Sequence, residues 1–137
     1  MEEESKKIDS LIESLNHPEK KVIRQAVEAL ISLASRQPAM ADRLHRLLTE
    51  APEKRRWPIA YILAQISSPS PSCLTVLKET LDHDDPDIRW ATVLLLARLG
   101  KMDRGVVSQL LDLLKTGTPR QRRMAIYCLR DMELKDP

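Results

Sequence analysis

The stretch His83-Asp84-Asp85-Pro86-Asp87-Ile88-Arg89-Trp90-Ala91-Thr92-Val93-Leu94-Leu95-Leu96-Ala97-Arg98-Leu99-Gly100 reads as one amphipathic helix with its own start and stop signals. Asp85 has the side chain of an N-cap, and Pro86 stands at the first helical position, where a missing N–H costs nothing. Leu96 and Leu99 continue an apolar face at helical spacing, and Gly100 predicts the stop. One such helix cannot bury that face alone, so the rest of the chain must supply its partners.

It does so by repetition. Shifted by 33 residues, the chain superimposes on itself without a gap. Leu11, Leu44, Leu77 and Leu110 form one column, Leu15, Leu48, Leu81 and Leu114 a second, and Leu30, Leu63, Leu96 and Leu129 a third. Leu33, Ile66, Leu99 and Met132 close each unit, and Ile8, Ala41, Leu74 and Val107 open it. Within a unit, apolar positions such as 8, 11, 12 and 15 recur at helical spacing, a polar break follows, and a second helical pattern runs through 22, 26, 29, 30 and 33. The expectation is a single all-α domain, 1–137, of four helix pairs in units 5–37, 38–70, 71–103 and 104–137. First helices are predicted near 5–16, 38–49, 71–82 and 104–115, and second helices near 18–35, 52–67, 86–99 and 119–133. Thr118-Pro119 repeats the Asp85-Pro86 start signal. Pro58, inside the second helix of unit two, predicts a kink or a late start there.

Composition agrees. Glycine is scarce at 3, and abundant Leu, Ala, Glu, Lys and Arg favour helix over strand. A hydrophobic content of 42% is too high for intrinsic disorder. The segment Met1-Glu2-Glu3-Glu4-Ser5-Lys6-Lys7 has no apolar run behind it, which predicts neither a secretory signal nor a membrane span, and hence a cytoplasmic chain. Its acids suit the start of the first helix as a soluble end-cap. A net charge of +2 falls short of the balance expected of a dedicated nucleic-acid binder, so any basic patch must be local.

The residues of unit three, from His83 to Gly100, resemble the second-helix signature of HEAT repeats, in particular the short bacterial class first noted in phycobilin lyases. Ile23 replaces the signature arginine in unit one, Pro58 intrudes in unit two, and Gln121 replaces an aliphatic in unit four. The resemblance implies a right-handed α-α superhelix, a solenoid whose second helices line a concave surface. It implies an architecture and not a reaction.

A search for chemistry leaves little. His17 and His83 fall in equivalent turns and His45 lies on a first helix, with no pair at the i, i+4 spacing of a helical metal site. The acids of Asp82-His83-Asp84-Asp85 are explained by a capping turn. Cys73 and Cys128 stand far apart with no CxxC spacing and read as structural, Cys128 sharing its column with Ala29, Ile62 and Leu95. The expectation is no catalytic residue, no metal and no cofactor.

The basic and aromatic residues say more. Lys20, Lys21, Arg24, Lys54, Arg55, Arg56, Arg89, Arg120, Arg122 and Arg123 all lie early in second helices, where a cation costs about 0.3–1 kcal/mol against the helix dipole. The column Arg56, Arg89 and Arg122 is expected to form a ladder with acids such as Asp84, Asp85 or Asp87; Arg24 and Arg123 lie outside it. The aromatics are Trp57, Tyr61, Trp90 and Tyr127, all on second helices. With Arg24, Arg123, Glu28 and Leu94 they form one stripe, roughly 160° from the core columns at about 100° per residue. Rings and arginines on one outward stripe are the composition of a binding surface. The expectation is a scaffold that takes a protein or peptide partner through Trp57, Tyr61, Arg89, Trp90, Leu94, Arg123 and Tyr127. Nucleic acid is the first rival, since arginines beside rings suit phosphates and bases. An accessory role in bilin attachment, which rests on the resemblance alone, is the second. No membrane partner is expected. Ile126, Met132 and Leu134, with no following unit to cover them, suggest a monomer or a weak dimer through terminal repeats.

Overall fold

The computed structural model describes residues 2–67 and 69–132, and among them every regular element is helical. Contacts divide the chain into two compact units that meet between Cys73 and Leu74. The first holds α1 (Glu2–Ser14), α2 (Lys20–Ala34), α3 (Ala39–Glu50) and α4 (Arg56–Ile66). Helix α5 (Pro71–Thr80) begins there and continues into the second, which holds α6 (Pro86–Met102), α7 (Arg104–Thr116) and α8 (Pro119–Asp131). Leu134 lies outside the described residues, as do the side chains of Glu2, Glu4 and Lys54. The acids expected ahead of the first helix fall in its first turn, where Glu3 is exposed.

In the first unit α1 packs on α2, α3 on α4, and the two second helices, α2 and α4, on each other. The leucine columns face inward. Across the chain, nine of the twelve leucines in the three leading columns are buried, and Leu11, Leu114 and Leu129, in the first and last pairs, are half-buried. Each buried leucine contributes roughly 1.5–3 kcal/mol of transfer free energy. In the second unit α6 packs on both α7 and α8, and Val93, Leu96, Leu99, Val106, Leu110 and Ala125 of these helices are all buried. The buried hydroxyls of Thr80 and Thr92 donate to the carbonyls of Val76 and Ile88 at 2.7 and 2.8 Å, so neither is left unsatisfied.

Helix starts follow the sequence signals. The Asp85 Oδ1 accepts from the N–H of Asp87 at 2.9 Å, and Thr118 forms a full capping box with Gln121, each side chain bonded to the other residue's backbone N–H. A 3-10 turn at Glu53–Arg55 takes up the chain before α4, so the helix of Pro58 starts late. Pro58 is then the third residue of α4, a position whose N–H has no intrahelical acceptor to lose.

Gly100 does not stop its helix. Helix α6 runs on to Met102 and is closed by Asp103, whose carboxylate also caps α7 by accepting from the N–H of Gly105 at 2.8 Å. The glycine is there for space: a Cβ at this position would lie 2.3 Å from the Met132 Cε and 2.6 Å from its sulfur. Met132, expected to be uncovered, is 3% exposed because it lies on Gly100. A glycine inside a helix costs about 0.5–1 kcal/mol relative to alanine, and removing the crowding side chain should recover it. Gly100→Ala should therefore stabilise a Met132→Ala background by about 0.5–1 kcal/mol, and should lose that gain when Met132 is present. Urea unfolding of the four proteins of the cycle measures the difference, and strict additivity would rule this packing out.

Candidate functional site

The residues of the outward stripe are placed as their spacing requires, since none of Arg24, Glu28, Trp57, Tyr61, Trp90, Leu94, Arg123 and Tyr127 is buried. They are not equally exposed. Trp90 and Leu94 are both 48% exposed, one turn apart on α6, whereas Trp57, Tyr61 and Tyr127 are half-buried. Trp57 and Tyr61 belong to α4 in the first unit. In the second unit the stripe is drawn into one site. Trp90 meets Tyr127 edge to face, with ring centroids 5.6 Å apart and planes at 77°, and the Arg130 guanidinium stands 5.5 Å from the Tyr127 ring centroid on the α8 side. Beside this pair opens a groove of about 580 Å³, lined by Pro86, Asp87, Arg89 and Trp90 from α6 and by Arg120, Arg123, Met124 and Tyr127 from α8.

The arginine ladder takes a different form from the one expected. Arg89 Nη1 donates to the backbone carbonyls of His83 and Asp84 at 2.7 and 3.1 Å. Arg56, one unit earlier, donates from Nε to the carbonyl of Ala51 at 2.8 Å, and Ala51 occupies the column of Asp84. Arg56 and Arg89 thus bind carbonyls in the turn between the helices of their own unit. A carbonyl held close by local geometry needs no second charge, and the bond survives where unit two has alanine in place of aspartate. The Nε of Arg89 is buried with no acceptor among the described residues. Arg122, third in the column, is exposed.

The acids are met instead by Arg120, which sequence reasoning grouped only as another early cation. Its Nε lies 3.8 Å from the Asp82 Oδ1 and its Nη1 3.4 Å from the Asp84 Oδ1, and Nη1 also donates to the carbonyls of Asp82 and His83 at 3.1 and 3.2 Å. Next to it, Gln121 Nε2 donates to the carbonyl of Lys78 at 3.0 Å. The start of α8 is thereby fixed to the turn before α6. The histidines serve these turns too: His17 Nδ1 accepts from the N–H of Glu19 at 3.0 Å, and His83 Nδ1 accepts from that of Asp85 at 3.0 Å, the same bond two units apart. Among the described residues no three His, Cys, Asp or Glu side chains gather as a metal site would require.

Arg123 differs from its neighbours. It is exposed at the groove, and no hydrogen bond or ion pair holds it among the described residues. Its helix has no acid in the first turn.

Both cysteines are buried, and the Cys73 thiol donates to the Ala60 carbonyl at 3.2 Å. Burial pushes both thiols up to about 12 from an ordinary 9.0. Between pH 9 and 12 the unfolded chain loses thiol protons that the folded chain keeps, so stability must fall as pH rises, by about 1.4 kcal/mol per unit for each thiol. A Cys73→Ala, Cys128→Ala protein should show a shallower alkaline slope of its urea midpoint, and an unchanged slope would refute this. Trp90→Ala should cost about 1–2 kcal/mol, short of the about 3–5 kcal/mol of a buried ring, since half of the indole already meets solvent. A larger drop in the same urea assay would make Trp90 a core residue.

The family model for HEAT repeats matches residues 42–130. The chain belongs to the HEAT repeat family, whose members are commonly protein-interaction scaffolds and typically non-catalytic. A search of curated proteins gives no match. None of the helices, among the described residues, is long and apolar enough to cross a membrane.

Proposed function

We propose that this chain is a non-catalytic binding module that takes a protein partner on its second helices, through Trp57, Tyr61, Arg89, Trp90, Leu94, Arg123 and Tyr127. The observation that carries the reading is Trp90, an exposed indole held by Tyr127 at the edge of an open groove. A half-exposed tryptophan gives the fold less than a buried ring would, whereas on a binding surface it supplies a large rigid contact. The arginines at the same groove suit the charged rim of such a contact.

The same pairing of rings with arginines gives nucleic acid as the second reading, in which bases would stack on Trp90 and phosphates meet Arg123. The two differ in salt dependence. Phosphate contacts release counterions, so affinity for DNA should fall steeply with added salt, while a protein contact built on rings should not.

Capture of partners from the native host by wild-type chain, Trp90→Ala and Leu111→Ala separates a groove from general stickiness. Leu111 is as exposed as Trp90 but lies on α7, outside the groove. A partner should be lost with Trp90→Ala, through a contact worth roughly 2 kcal/mol or more, and kept with Leu111→Ala. Equal loss from both would sink the proposal.

A further inference from the structure

The groove of α6 and α8 has a chemical preference that the general reading leaves open. Cations at a helix N-terminus are unfavourable, and α8 carries Arg120 and Arg122 in its first turn, with Arg123 just after, and no acid there. For Arg120 the structure supplies the compensation: two carboxylates and two carbonyls of the turn at 82–84. Arg89, on the opposite wall, is likewise committed to carbonyls of that turn. Arg123 alone of the three groove arginines has no such partner among the described residues, and it stands beside the Trp90–Tyr127 pair. Two arginines thus fix the walls, and the third offers an unanswered charge at the groove.

We infer that the groove binds an acidic peptide segment, in which one Asp or Glu carboxylate pairs with Arg123 and a bulky apolar side chain one to three residues away packs on Trp90. This rests on the protein-binding reading. Charge complementarity selects the carboxylate, and the count of charges selects a peptide over a nucleic acid. A phosphate backbone needs several free cations in a row, whereas Asp87 lines the groove and Asp84 stands exposed beside Arg120. One free guanidinium suits one carboxylate, which its fork can bind through two N–H groups.

The test uses the whole chain, immobilised, to select from a phage-displayed random dodecapeptide library; the enriched peptides are then labelled with fluorescein and titrated by anisotropy. Enrichment of Asp or Glu within three positions of Trp, Phe, Leu or Met is expected. Arg123→Gln should weaken those peptides about tenfold or more, and Arg122→Gln, the same change of charge on an exposed neighbour outside the groove, should have an effect of about twofold or less. Neither side chain packs in the core, so both variants should fold, which circular dichroism checks. Absence of any enriched sequence, or equal loss from Arg122→Gln and Arg123→Gln, overturns the inference. Enriched peptides without acids that still need Trp90 overturn the acidic preference and leave the protein-binding reading standing. Peptides indifferent to both Trp90→Ala and Arg123→Gln remove both. A short single-stranded DNA bound more tightly than any peptide, and weakened by Arg123→Gln, overturns the inference in favour of nucleic acid.

Discussion

A pair of helices only a few turns long has more apolar face than it can bury within itself, and the rest of this structure answers that constraint. Leu30, Leu63 and Leu96 are almost wholly shielded because each second helix packs on a first helix, α2 on α1, α4 on α3 and α6 on α7, and also on another second helix, as α2 does on α4 and α6 on α8. Burial on two sides leaves one stripe of each second helix for solvent. The stripe that carries Trp90 is therefore a by-product of stacking before it is a site, and its content is free to be set by something other than stability.

What makes the stripe of the second unit into a defined groove is the turn at residues 82–84. Its carbonyls receive Arg89 from α6 and Arg120 from α8, and its two flanking carboxylates hold Arg120 further. Charge-assisted bonds from both helices to one short segment set the spacing of their N-terminal ends. A groove walled in this way does not have to be ordered when a ligand arrives, which lowers the entropic cost of binding.

The sequence carried the fold in its period. The leucine columns, the proline starts and the delayed start of α4 around Pro58 were all legible, because each depends on residues within one turn or on the repeat itself. Gly100 was misread for the same reason: as a local signal it is a helix stop, and only the arrival of Met132 from a distant helix end makes it a packing site. The column arginines were given acids because charges are visible in a sequence and carbonyls are not. The stripe itself was legible from helical geometry. That Trp90, Arg123 and Tyr127 share one groove while Trp57 and Tyr61 sit half-buried in another unit depends on packing between helices that no period encodes.

The two kinds of arginine contact differ in how far they reach along the chain, and this bears on how such an array can change length. Arg56 and Arg89 bind carbonyls five residues upstream, within a single unit, so a unit gained or lost by duplication or deletion takes its own fastening with it. Arg120 reaches back 36 to 38 residues, past the period of 33, and ties one unit to the unit before it. Inserting a unit between them would leave every local fastening intact and sever that tie, and the groove with it. The groove therefore depends on units three and four staying adjacent, whatever the number of units elsewhere in the array.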